Sequence, residues 1–384
     1  MTTQLAIPYG ILILPQALLY GNEHIAFILG VLGLALAGCL PVEVLVRTRR
    51  RDHLLLVASK ERLESYGGAL RIVALLACAV GQASGIVSAS FGIGTVAAQL
   101  GLIRPQTPVG PLLSIFSTWT GSGAALLVGA YLAGQLTRRA LHLCFLAIVV
   151  LESIRTAITT ITASLISLTV YLVILGIFAG TLRLRTCVLA VVAVLLIWPT
   201  VYELRNAIRQ ESGVHVSASV DAFDRLRYDQ QISRAADILE VPIDIGQPDL
   251  QDTLRYGLVP RFLDPDRPSL ATGTRINVFL GGSETSSFTF LPVTTLYVLQ
   301  GPLATVAFYA LLAMTLAVAL RSGSRLTPGR LVIFGLISAG PLSWFAGYPD
   351  STIGCLQGLV AALPLLGVLH LARRHRSALL PPAS

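Results

Sequence analysis

From Tyr256 the chain reads Tyr-Gly-Leu-Val-Pro-Arg-Phe-Leu-Asp-Pro-Asp-Arg-Pro, and seven residues further on it reaches Arg275. Pro260, Pro265 and Pro268 fix φ at three points and reduce the entropy lost when this stretch orders. A stiff loop of this kind holds Arg261 and Arg267 in set positions. Their planar guanidinium forks suit phosphate oxygens, which they bind in bidentate fashion. Asp264 and Asp266 lie between the two arginines. They read either as a base for a hydroxyl group or as partners that orient the arginines. The same string also reads as a surface loop whose acids and arginines pair with one another, and the residues alone leave both readings open.

A second charge stands out in Leu151-Glu152-Ser153-Ile154-Arg155-Thr156, inside an apolar stretch. An arginine at the centre of a membrane helix costs roughly 2.5–3.5 kcal/mol, and less near the interface. Glu152, three residues before Arg155, faces it on one helix surface. Arg155 is therefore either a snorkelling helix-end residue with a local partner or a cation turned toward a cavity. Other polar residues read more simply. His215 is a lone loop histidine, and Arg225, Arg227, Tyr228 and Asp229 read as solvated ion pairs on a helix. Asp350, in the turn Tyr348-Pro349-Asp350, reads as the cap of the final helix. Cys39, Cys78, Cys144, Cys187 and Cys355 sit in apolar runs without metal-ligand spacing. There is no P-loop, no HExxH and no nucleotide-binding glycine fingerprint. No cofactor is expected, although isolated aspartates would suffice as weak ligands for a divalent ion.

The elements that must position these groups are membrane helices. Of the 384 residues 54% are apolar and only 12% charged, with a mean hydropathy of +0.73. Soluble proteins carry about 25% charged residues. The composition excludes a soluble globular enzyme, a disordered chain and a disulfide scaffold, and the short alternating strands of a β-barrel are absent. The net charge of +8 comes from arginines set between apolar spans, with Lys60 the one lysine, so it does not mark a nucleic-acid binder. No charged region precedes the first apolar stretch, which is expected to remain as a helix.

A crossing of the ~30 Å hydrocarbon layer takes about 20 apolar residues. Ten spans are expected, at 5–20, 26–46, 69–89, 112–134, 140–155, 160–181, 186–203, 301–320, 331–347 and 353–371. Arginine-rich short loops stay cytoplasmic. Arg47 to Arg62, Arg138–Arg139, Arg183–Arg185, Arg321–Arg330 and Arg373–Arg376 then share the inner side with both termini. The chain divides into spans one to seven (1–203), a polar extracytoplasmic loop or cap (204–285), a re-entrant or interfacial segment (286–300) and the last three spans with a cytoplasmic tail (301–384). The cap holds nine arginines against twelve acids, a near balance that argues against a lipid anchor. Within it, Phe223, Leu226, Ile232, Ala235 and Leu239 recur at near-helical spacing.

The string Gly257 to Pro268 resembles a Pro-Arg-x-Leu-x-Pro-(Asp/Asn)-Lys-Pro segment in the large extracytoplasmic loop of Wzy-type oligosaccharide repeat-unit polymerases, which assemble O-antigen and exopolysaccharide. Ser286-Ser287-Phe288-Thr289 through Tyr297 and Gly301 resembles a second segment of that family, at the start of the next helix. Arg267 stands where the family usually has lysine, and Thr294 and Thr295 where it tends to have glutamate. The resemblance implies a membrane glycosyltransferase in the bacterial cytoplasmic membrane. It would join undecaprenyl-diphosphate-linked oligosaccharide units at the outer face, alongside a chain-length regulator and a flippase of the same pathway. On this reading Arg261, Arg267, Asp264 and Asp266 carry the chemistry, while Arg155, Arg275, Tyr256 and Tyr297 bind substrate. An O-antigen ligase-like transferase and a non-enzymatic flippase or exporter are the alternatives.

Overall fold

The computed structural model describes residues 1–48, 63–99, 109–211, 226–239, 245–260, 263–264, 267, 272–282, 287–320, 326–344 and 347–379. Its regular structure over these residues is entirely helical. The helices are α1 (Thr2–Pro8), α2 (Leu14–Leu19), α3 (Ile25–Thr48), α4 (Ala69–Ser90), α5 (Gly110–Ser117), α6 (Trp119–Leu132), α7 (Arg138–Thr159) and α8 (Thr162–Phe178). They continue with α9 (Leu184–Glu211), α10 (Tyr228–Ala236), α11 (Leu250–Leu258), α12 (Thr272–Phe279), α13 (Pro292–Ala319), α14 (Pro328–Ala339) and α15 (Asp350–Leu379). A π-helical turn at Tyr9–Ile13 joins α1 to α2.

Among the described residues, seven helical stretches are long and apolar enough to cross a membrane: Thr2–Leu19, Ile25–Val46, Ala69–Ser90, Gly110–Leu132, Arg138–Thr159, Pro292–Ala319 and Asp350–Arg376. Large apolar side chains stay exposed along them, Leu303 and Val318 among them, as lipid-facing surface requires. The chain is a polytopic α-helical membrane protein. α8 and α14 are apolar but shorter. The helix expected over 331–347 ends at Ala339, because Pro341 disfavours helical geometry at the residue before it. Conversely, α9 runs on to Glu211, past the expected boundary at 203.

Small residues decide how the bundle packs. The buried stripe of α4 includes Leu70, Ala74, Ala77, Gly81, Ser84, Gly85 and Ser88, at three- and four-residue spacing. A Cβ on Gly81 would lie 2.5 Å from the Thr120 nitrogen, and one on Gly123 would lie 2.7 Å from the Cys78 sulfur. α4 and α6 therefore touch backbone to backbone, the arrangement that membrane helices use where burial against lipid supplies little drive. Gly38 does the same between α3 and α13, where a Cβ would collide with the Val306 carbonyl oxygen. α13 is broken at Gly301, whose φ of 83° belongs to glycine, with Pro302 removing the next donor.

At the other edge, short helices from the expected cap region rest on the membrane helices. α10 docks on α2 and α3, and α11 docks on α15. Gln16 of α2 donates to the Leu226 carbonyl and accepts from the Tyr228 N–H, and His24 Nε2 lies 3.1 Å from Asp237. Asp229 is fully buried, held by both nitrogens of the Arg227 fork at 2.8 and 3.0 Å and by the Asn22 amide at 3.1 Å. The Arg227–Asp229 pair is thus not the solvated pair that its sequence suggests, because Tyr20 and Asn22 cover it from a distant part of the chain. Burial pushes the Asp229 carboxyl up, but the bonds from Arg227 and Asn22 outweigh it and hold it below its usual value.

Candidate functional site

Asp249 caps α11 by accepting the Asp252 N–H at 2.7 Å, and the helix then lays Arg255 and Tyr256 on consecutive positions. Gly257 faces α15 so closely that a Cβ would sit 2.5 Å from Leu356. This contact places the end of α11 on the last membrane helix. The buried Tyr256 is the hub of the site. Its carbonyl oxygen accepts from Arg267 Nη1 at 2.7 Å and from Gln357 Nε2 of α15 at 2.8 Å. Its ring has the guanidinium carbons of Arg255 and Arg267 each 5.8 Å from its centroid, within cation–π range.

Arg255 Nη2 in turn bonds Asp264 Oδ1 at 2.6 Å, and that pairing holds the guanidinium above its usual range. Asp264 is itself buried, and its second oxygen has no partner among the described residues. The structure therefore brings Tyr256, Asp264 and Arg267 into one bonded cluster. It adds Arg255 and Gln357, which sequence reasoning did not select. Arg255 could have been noticed as the arginine beside Tyr256; the role of Gln357 depends on a contact spanning 101 residues. Arg261 and Asp266 belong to the same loop but lie outside the described residues, as does His215.

Arg275 is placed by α12 and donates to the carbonyl oxygens of Ile245 and Gly246. Asp350, the first residue of α15, also reaches beyond its own helix. Its carboxylate accepts from the Thr272 hydroxyl at 2.6 Å and from the Thr272 N–H at 3.3 Å, so it caps α12 across the fold. Asp350 and Gln357, seven residues apart on one helix, thus anchor α12 and α11 respectively. The cluster is a rim of arginines and carboxylates fastened to the head of a helix long enough to span a membrane. Chemically it can bind an anion beside its guanidinium groups, and Asp264 keeps a second carboxylate oxygen that is buried and without a partner among the described residues.

The other two residues expected to bind substrate lie elsewhere. Tyr297, on the first arm of α13, stacks edge-on with Phe27 of α3 at 5.8 Å. Arg155 lies near the end of α7, where its side chain runs over Gly85 of α4, 3.1 Å from where a Cβ would be. Its Nη1 is 3.3 Å from both oxygens of the buried Glu152. Neither residue bonds to the Tyr256 cluster among the described residues. Beyond Arg155, Arg209 of α9 donates to the Thr160 carbonyl, where a left-handed residue ends α7. A cavity of about 20 Å³ beside Tyr9, Leu291 and Trp344 has room for one water molecule. No group of three or more potential metal ligands occurs among the described residues. Compared with known proteins, the chain matches no family model, no curated protein and no solved structure.

Proposed function

We propose that this chain is a bacterial cytoplasmic-membrane glycosyltransferase that polymerises undecaprenyl-diphosphate-linked oligosaccharide units at the outer face. The observation that carries the reading is the Tyr256 ring flanked by Arg255 and Arg267, in the segment that resembles the polymerase family, tied through Gln357 to a membrane-length helix. A cationic rim at the head of such a helix stands where the diphosphate of a membrane-anchored donor would lie. The proposed topology has ten spans, with α8, α9 and α14 completing the seven longest, both termini inside and residues 204–285 outside.

Transfer breaks the bond between the donor sugar's anomeric carbon and the diphosphate oxygen, and forms a bond from that carbon to an acceptor hydroxyl oxygen. Negative charge grows on the departing diphosphate. Preorganised cations aimed at it lower the barrier, a type of contribution worth about 2.7–4 kcal/mol per donor in studied enzymes. Arg261, Arg267 and Arg275 supply that charge, with Arg155 at the membrane end of the donor. Asp264 or Asp266 takes the acceptor's proton. Direct displacement inverts the anomeric carbon, and the activated donor supplies the driving force without a nucleotide.

The test is the glycan made by cells carrying Arg261→Ala or Arg267→Ala. Both variants should remain in the membrane and yield single repeat units. Wild-type polymer length in both defeats the assignment. Reporter fusions at Gln247 and Ser324 should read outside and inside; the reverse result undoes the topology. One observation favours an exporter of lipid-linked sugar as the second reading. Gln82, Ser84 and Ser88 of α4, Ser122 of α6 and Glu152 and Thr156 of α7 are all buried polar residues within the bundle. Single units accumulating inside vesicles, unflipped, would identify that activity.

A further inference from the structure

The Glu152–Arg155 pair is lopsided. Glu152 is buried, with 3% of its side chain exposed, while 34% of the Arg155 side chain is accessible. Both carboxylate oxygens share one nitrogen at 3.3 Å, longer than the 2.7–2.9 Å typical of charge-assisted bonds. Arg155 Nε and Nη2 make no bond among the described residues. The acid is therefore held by one long contact to a cation whose side chain is one-third exposed.

Polar groups in the same layer are left without bonding the acid. Gln82 Oε1, Ser122 Oγ and Thr156 Oγ1 are buried and have no partner among the described residues. The Arg155–Gly85 contact sets the register of α7 on α4, which places Gln82, three residues before Gly85, level with Glu152, three before Arg155. Gly81 against Thr120 brings the start of α6, with Ser122, to the same layer. Other titratable or charged groups near α7 are distant or occupied: Arg209 of α9, near the end of α7, donates to the Thr160 carbonyl. Arg71 of α4 lies fourteen residues from Gly85, roughly 21 Å along the helix. Cys78 of α4 packs on Gly123, and Tyr131 lies near the far end of α6. Tyr171 of α8 donates to the Gly121 carbonyl.

We infer that this pair is a proton-linked latch for a lipid phosphate. An anionic phosphate ester at the membrane edge competes with Glu152 for Arg155, whose donors transfer to the phosphate oxygens. Glu152, left buried without its cation, takes one proton from outside water, since an unpaired buried carboxylate is strongly disfavoured. No covalent bond changes. Binding and proton uptake are thereby coupled, each strengthening the other. The inference deepens the role proposed for Arg155, but it is read by binding and does not need polymer synthesis.

The experiment uses purified full-length protein in phosphatidylcholine nanodiscs. One arm adds phosphatidylglycerol, a diester whose own charge stays fixed; the other adds a polyprenyl-diphosphate sugar. Affinity is measured across pH 5 to 8, with a pH dye in weak buffer to count protons. The wild type should take up about one proton per phosphate bound over part of that range, with affinity there rising toward tenfold per unit fall in pH. Glu152→Gln should bind at least about tenfold more tightly at high pH, with no uptake and no pH dependence. Arg155→Gln should lose binding while remaining folded in the nanodisc. No binding or no uptake in the wild type, uptake that persists in Glu152→Gln, or unchanged affinity in Arg155→Gln overturns the latch. A response to the diester alone identifies a phospholipid site, and a response to the isoprenoid arm a substrate site. A chain that shows the coupling but makes no polymer sinks the transferase reading and keeps the latch. A polymerase with no proton uptake does the reverse.

Discussion

In the docked cap, the buried Asp229 receives two nitrogens of one arginine and an amide, all within 3.1 Å. In the bundle, the equally buried Glu152 receives a single nitrogen at 3.3 Å. The two regions use charge differently. Around α10 it fastens one element to another, so the acid is saturated and its arginine is stacked on Tyr20, 3.6 Å from the ring centroid. Around α7 the acid is underbound and the arginine is accessible, an arrangement that adds little rigidity and leaves the pair free to exchange partners. Residue type does not separate the two pairs; the number and source of their hydrogen bonds does.

Substitution should separate them. The largest expected loss of stability comes from Asp229→Ala, which removes the acceptor of two Arg227 nitrogens and of the Asn22 amide; breaking such a buried pair costs about 3–5 kcal/mol. Thermal unfolding of purified protein checks this, and a loss below about 1 kcal/mol would erase the contrast. Next, Arg267→Ala removes one of two donors to the Tyr256 carbonyl. A loss of about 1.5–3 kcal/mol, with faster proteolysis near α11, is expected for a charged donor. Arg155→Gln leaves Glu152 buried without its cation and should cost about 1–3 kcal/mol, less than Asp229→Ala because a single donor is removed, while lipid-phosphate binding is lost. The smallest effect is expected for Gly85→Ala. Its Cβ meets only the flexible Arg155 side chain at 3.1 Å, so folding should be unchanged while Arg155 moves off Glu152.

Acid sharpens the same contrast. The Asp229 carboxyl is held below its usual value in the folded protein, so its contribution is fully present above the ordinary aspartate range. It is lost as pH falls through the lowered folded value, that is, below the pH at which an unperturbed aspartate titrates. Docking of α10, followed by a cross-link between α2 and α10, should therefore survive throughout the range in which the Arg155 pair is proposed to exchange its proton. In Asn22→Ala the release should move to higher pH, since one of the stabilising bonds is gone. An unchanged release pH would mean that Asn22 contributes nothing to the clasp.

The membrane character and the all-helical class were legible because lipid demands long uniform apolar runs, and these are local in sequence. The break in α13 was marked by its Gly301-Pro302 dipeptide. Pro341 marked the early end of α14 just as clearly, yet an apolar run beyond it suggested continuation. Contacts spanning the chain were not legible. Nothing near Asp229 announces Asn22, 207 residues away, and nothing near Tyr256 announces Gln357. Glu152 and Arg155 were readable as a pair because they share one helix face. Their imbalance was not, since it depends on Gly85 of another helix and on the depth of Glu152.

The last helix carries two brackets, Asp350 on α12 and Gln357 on α11. Membrane helices answer a change in hydrocarbon thickness by tilting. A tilt of α15 would carry both brackets with it, shifting Arg275 and the Tyr256–Arg267 cluster together rather than apart. Lipid acyl length thereby becomes a control on the cationic rim: thicker or thinner bilayers should alter its height above the surface while leaving its internal spacing intact.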